Sequence, residues 1–206
     1  MSKSMFPDRD RLDMNPPVQL AAIQAATETL GFDMPSVPQT GALLRALAAS
    51  KPASRVLELG TGTGIATCWL LDGLDDNGQL VTVEIDPVVQ QVAKIDLGYD
   101  ARINFVEENA VSFMRHAPKS AFDLIFADAL PGKFSELEDA LSLLADDGIY
   151  VVDDLLPQDS WPEGHAPRVP VFIENMMSRP ELTVEYWEWA SGILLARKSG
   201  QQAGTT

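Results

Sequence analysis

The chain has 206 residues, with 15 Lys plus Arg against 30 Asp plus Glu, for a formal net charge of −15. That balance excludes a general electrostatic grip on nucleic acid or an anionic membrane, because most of the surface would repel phosphates; a local basic groove stays open. With 46% hydrophobic residues and one cysteine, Cys68, the composition fits one globular domain without an intrachain disulfide, expected in a reducing, cytoplasmic setting.

Residues 1–16 are polar and carry Pro7 and Pro16, which reads as a flexible lead-in; no apolar run there suits a signal peptide, and no segment reaches membrane-span length. Residues 17–32 place Leu20, Ile23, Ala26 and Leu30 at helical spacing, with Gly31 as a stop. A Pro-rich break follows, then a second helix over 39–50 with Leu43, Leu44 and Leu47 on one side. From residue 54 short apolar runs alternate with helical patterns. Strands are expected at 54–60, 79–86, 102–108, 122–128 and 148–154, and helices at 64–74, 87–98, 109–117 and 133–148. That rhythm predicts βαβ units and a largely parallel sheet covered on both faces. After a Pro-rich loop over 156–170, a helix is expected at 171–179, then two strands, 181–189 and 193–198, turning at Ser191-Gly192. The expected fold is a doubly wound, Rossmann-like α/β domain over 17–198. Its seven-stranded, mostly parallel sheet ends in an antiparallel hairpin, and 199–206 forms a flexible tail. Trp187 and Trp189 are candidates for packing the sheet edge or a second copy in a homodimer.

The strongest motif is VLELGTGTG. A strand ends and Gly60, Gly62 and Gly64 precede a helix, where glycines allow a tight turn and close approach of a ligand. Twenty residues beyond Gly64, Glu84 ends the next strand, the spacing at which a carboxylate accepts bonds from ribose hydroxyls. A third dinucleotide-type glycine would fall at Ile65, which fits a nicotinamide cofactor poorly. Glu58, beside the loop, disfavours a diphosphate and suits a ligand with a positive amino group. A nucleoside with ribose hydroxyls, a cationic amino-acid end and no phosphate describes S-adenosylmethionine.

On these residues the sequence resembles the class I S-adenosylmethionine-dependent methyltransferases, over nearly all of 35–198. The two N-terminal helices and the DLIFADA, VVDD and SGILLARK segments resemble the catechol and caffeoyl-coenzyme A O-methyltransferase branch. The resemblance implies that Glu58, Gly60, Thr61 and Gly62 surround the methionine end of the cofactor, with Asp128 near it. It puts Glu84 and Ile85 by the ribose, Asn109 and Ala110 near the adenine, and the 34–41 segment, including Val37, over the cofactor, with the helices of 17–50 as its cover.

Asp128 ends one buried strand, and Asp153 and Asp154 end the next. Three carboxylates meeting at one crevice repel unless a cation or protons neutralise them, and oxygen ligands select Mg²⁺, Mn²⁺ or Ca²⁺. The resembling branch has Asp, Asp, Asn here, so Asp154 is a departure. The alternative is that these residues cap local turns. That branch also places a lysine three residues after its first metal Asp, where this chain has Pro131; Lys133 is the displaced candidate base, or a surface lysine. His165, flanked by Trp161 in the loop after the acidic cluster, is a second candidate base or ligand. The expected activity is O-methyl transfer to a small hydroxylated, catechol-like acceptor. A tRNA methyltransferase, a nicotinamide oxidoreductase and a non-catalytic cofactor-binding protein are the alternatives.

Overall fold

The apolar run after Ser54 forms β1 (Arg55–Leu59), which lies at the centre of the sheet. The computed structural model describes residues 15–200, so the expected lead-in before residue 15 and tail after residue 200 lie outside the described residues. Around β1 the chain runs through α1 (Leu20–Leu30), α2 (Pro38–Ala49), α3 (Ile65–Gly73), β2 (Gln79–Glu84), α4 (Pro87–Leu97), β3 (Ile103–Glu107), α5 (Ala110–His116) and β4 (Phe122–Ala127). It continues with α6 (Leu137–Leu143), β5 (Leu144–Val152), α7 (Arg168–Met177), β6 (Leu182–Trp187) and β7 (Ile193–Lys198). The strand order is β3-β2-β1-β4-β5-β7-β6. Strands β1 to β5 pair in parallel, and β7 pairs antiparallel with both β5 and β6, as the sequence pattern predicts.

The period of two along β1 divides the core. Val56 packs with Trp69, Leu70, Leu80 and Phe126 on the face covered by α1 to α4. Leu57 and Leu59 pack with Ile125, Tyr150 and Val152 on the face covered by α5 to α7. Cys68 is buried on α3, where it packs as a small core residue. Chain order reverses between β1 and β4, and the carboxyl ends of such neighbouring strands open a crevice.

Two boundaries differ from expectation. The helix expected over 133–148 covers only Leu137–Leu143, and β5 begins at Leu144, which already pairs with Phe122. The register then shifts so that Leu124 pairs with Ile149; Asp147, at φ +62°, lies in the resulting irregularity. The polar ADDG stretch is therefore a bulge in a strand and not a helix end. α7 starts at Arg168, with Pro170 in its first turn, where a missing N–H costs no helical bond. At the far edge Trp187 and Trp189 remain 39% and 43% exposed. No helix among the described residues is long and apolar enough to cross a membrane.

Candidate functional site

The loop after β1 takes the backbone shape its glycines were expected to permit: Gly60 lies at φ +100° and Gly64 at φ +96°. At Gly64 a Cβ would stand 2.5 Å from Ala93 Cβ, so this glycine also permits close packing of the loop on α4. The amides of Gly60 and Thr61 both donate to Val83 O, at 2.9 and 3.2 Å, and fasten the loop to β2.

Beneath the loop is a buried chain of hydroxyls. Gln90 Nε2 donates to Thr61 Oγ1 at 3.1 Å, and Thr61 and Thr82 hydroxyls meet at 2.6 Å. Thr82 and Thr67 then donate to Glu58 Oε2, each at 2.6 Å. Because Thr82 spends its proton on Glu58, the Thr61 hydroxyl must donate to Thr82. Glu58 is fully buried and Glu58 Oε1 has no protein partner. Burial, partly opposed by the two threonine bonds, raises its pKa to about 8, so the carboxyl is mainly protonated at neutral pH. Glu58 does not line the cavity. Expected at the cofactor's amino-acid end, it shares the sheet face of Val56, under α3, and supports the loop from below.

Glu84 ends β2 beside the loop. Its Oε2 accepts from Gly62 N at 2.9 Å, and its Oε1 accepts from Ile85 N and Asp86 N at 2.9 and 3.1 Å. Three amides thus fix the carboxylate while leaving acceptor capacity unused. Asp86 caps α4 through Val88 N at 2.8 Å, with Pro87 as the first helical residue, and Asn109 caps α5 through Val111 N at 2.8 Å.

One cavity of about 650 Å³ joins these groups. Gly60, Thr61, Gly62, Glu84, Ile85, Asn109 and Ala110 line one part of it, and Val37 closes it from the start of α2. The covering segment enters the lining at Phe32, before the expected Met34, and Pro38–Gly41 belong to α2. Asp128, Lys133, Asp153, Asp154 and His165 line the other part. Seven Asp or Glu side chains and a single Lys or Arg side chain, Lys133, line this cavity, an environment that favours cations and repels phosphates.

Lys133 is neither on a helix nor on the surface. It is 3% exposed, and its Nζ donates to Asp153 O at 2.8 Å. The loop carrying it turns at Gly132, φ +90°, whose carbonyl accepts from Tyr150 OH at 2.5 Å. His165 is 4% exposed, stacked on Trp161 at 4.3 Å between ring centres and edge-on to Phe134 at 4.8 Å. Its Nε2 lies 3.2 Å from Asp154 O, a contact that assigns the ring proton to Nε2 and leaves Nδ1 as an acceptor. Burial holds its pKa below the usual imidazole value, so the ring is neutral at physiological pH.

The three carboxylates expected to hold a metal do line the same cavity, but each is engaged separately. Asp128 Oδ2 accepts from Ser36 Oγ at 3.2 Å. Asp153 accepts from the Ser191 hydroxyl and, at 2.7 Å, from Asp154 N, while Asp154 accepts from Gln158 Nε2. Among the described residues no group of three or more His, Cys, Asp or Glu side chains is arranged to hold a metal ion. As arranged here, the residues present do not fit the implied divalent ion, and the expected Asp128, Asp153, Asp154 ligand set is not shown. Burial, and next the Asp153 charge, raise the Asp128 pKa to about 8, with Lys133 opposing. Burial also raises that of Asp153, against its bonds from Ser191 and Asp154 N.

Ser36, Gln158 and Ser191 were missed as partners of these carboxylates. In the sequence Ser191 stands only as a turn residue, and no local pattern ties it to Asp153.

Residues 57–155 match a family described as a methyltransferase domain. A curated relative from Mycobacterium sp. (strain KMS), named "Putative O-methyltransferase", is 34% identical over 117 residues, 53% of this chain and 53% of its own. The chain spans about half the length of the curated relatives it matches. Among solved structures, the O-methyltransferase TomG from Streptomyces achromogenes, involved in tomaymycin synthesis and solved with SAM, is 25% identical. It covers 92% of this chain and 93% of its own, with a TM-score of 0.79. An O-methyltransferase from Bacillus cereus, solved with SAH, shares the fold at 20% identity and a TM-score of 0.76, over 88% of this chain and 90% of its own. In fold and in the 57–155 segment, the chain resembles the class I S-adenosylmethionine-dependent methyltransferases.

Proposed function

We propose that the chain transfers a methyl group from S-adenosylmethionine to a hydroxyl oxygen of a small acceptor, with catechol-like vicinal diols as the first class to test. One observation carries the reading: a single acidic cavity joins a three-glycine loop and an amide-fixed Glu84 to a buried lysine and a neutral histidine. Its carboxylates suit a cationic sulfonium and amino group and oppose the diphosphate of a nicotinamide dinucleotide.

In this reading Gly60, Thr61 and Gly62 admit the methionine end of the cofactor, and Asp128 faces its positive charge. Glu84 presents its remaining lone pairs to the ribose hydroxyls. Ile85, Asn109 and Ala110 flank the adenine, and Val37 with the preceding segment covers it. Bound there, the cofactor supplies an electrophilic methyl on sulfur. The acceptor oxygen bonds the methyl carbon as the carbon–sulfur bond breaks, its electron pair staying on sulfur. Nδ1 of His165 takes the hydroxyl proton, and Lys133 faces the oxygen as negative charge develops. Most of the acceleration would come from alignment and charge placement.

The test is incubation of the full chain with S-adenosylmethionine carrying a ¹³C-methyl group and a panel of catechols and simple phenols. The expected result is an O-methyl product with the label on oxygen, and S-adenosylhomocysteine in equal amount. Label on nitrogen, carbon or sulfur with none on oxygen would overturn the assignment.

A further inference from the structure

The resembling branch places a divalent ion where this chain gathers Asp128, Asp153 and Asp154. Here each of those carboxylates is occupied by its own donors: Ser36 on Asp128, Ser191 and the Asp154 amide on Asp153, and Gln158 on Asp154. Asp154 also sits at φ +70°, so the backbone turns at this position. Into the same crevice the loop over 130–135 delivers a lysine. Phe134 N donates to Leu130 O at 2.9 Å and Gly132 N to Ser135 O at 2.8 Å, and the tight turn directs Lys133 inward. Its ammonium reaches Asp153 O at 2.8 Å and lies 5.5 Å from the centre of the Phe134 ring. A lysine is rarely buried to this degree without compensating charge, and its charge favours the ionised forms of both Asp128 and Asp153.

We propose that the Lys133 ammonium takes the electrostatic place of the divalent ion, so that this crevice binds no metal and methyl transfer here is metal-independent. The inference rests on the methyl-transfer reading above. The lysine donates a hydrogen bond to the acceptor oxygen as that oxygen loses its proton to His165 and gains the methyl group. No further reactant is needed. The Gly132-centred turn carries the ammonium to Asp153 O.

The direct test is a titration of the full chain, with S-adenosylhomocysteine present, with Mn²⁺ followed by electron paramagnetic resonance. The expected result is no stoichiometric site tighter than about 1 mM. One equivalent of Mn²⁺ bound more tightly, and lost in Asp153→Asn, would overturn the proposal. This readout decides the question whether or not an acceptor has been found, whereas failure of the chain to bind S-adenosylhomocysteine would overturn the cofactor reading instead. With an acceptor in hand, excess EDTA should leave turnover within about twofold. Lys133→Ala should lower kcat by about 100-fold or more, and added ethylammonium should restore part of it. Full activity in Lys133→Ala, or activity restored by Mg²⁺ and not by the amine, would refute the role given to this side chain.

Discussion

Replacing Glu58 with glutamine probes the support beneath the glycine loop. In the folded chain the Glu58 carboxyl keeps its proton up to about pH 8, whereas the ordinary value is 4.5. Between those limits the folded state holds one proton that the unfolded state has released. Stability from this group is therefore fully present below about pH 4.5, falls as pH rises, and is lost above about pH 8. The slope is about 1.4 kcal/mol per pH unit, or about 4 kcal/mol between pH 5 and pH 8. Glutamine has the same shape, can accept from Thr67 and Thr82 and does not ionise. Its extra N–H would meet the unpartnered side of Glu58 and cost about 1 kcal/mol. At pH 5 Glu58→Gln should be equal to the parent or slightly less stable; at pH 8 it should be more stable by about 3 kcal/mol. Asp128 titrates in the same range, so the informative quantity is the difference between the two chains and not either curve alone. Urea unfolding followed by circular dichroism at pH 5, 6, 7 and 8 measures it. Parallel stability curves across that range would refute the buried neutral carboxyl.

Gly64→Ala would place a Cβ 2.5 Å from Ala93 Cβ at φ +96°. Strain and overlap should cost about 2–4 kcal/mol and lower Tm by roughly 5–15 °C; a drop under about 2 °C would show that the loop does not need this glycine. His165→Phe keeps an aromatic ring between Trp161 and Phe134 but removes Nδ1. It should lower kcat by about 10²-fold or more with S-adenosylhomocysteine affinity unchanged, and an unaltered kcat would reduce His165 to packing.

The sheet and the glycine-loop side of the cavity were legible because local chemistry dictates them. The first apolar run ends in glycines, Pro87 opens a helix after Asp86, and Glu84 follows the loop at the length of one helix and one strand. The face of Glu58 is readable from the period of two along β1, which sets it beside Val56 under α3. The end of α6 was hidden by an acidic stretch that suits a helix terminus but forms a bulge next to buried Leu144. The side of the cavity around Asp153 and Lys133 was less legible because its contacts are non-local. Asp153 meets Ser191 from 38 positions away and lies beneath Lys133, which arrives through an irregular turn. Strand-end placement brought the three aspartates to one crevice, but could not tell which donors each would find there.

The account depends most on Glu84 as the anchor of a nucleoside with free ribose hydroxyls. Calorimetric titration of S-adenosylhomocysteine into the parent chain and into Glu84→Ala tests this directly. The account predicts one equivalent bound by the parent, and an affinity lower by about 10- to 100-fold in Glu84→Ala, from the loss of charge-assisted bonds to the ribose. No binding to the parent, or equal affinity in the two chains, would contradict it.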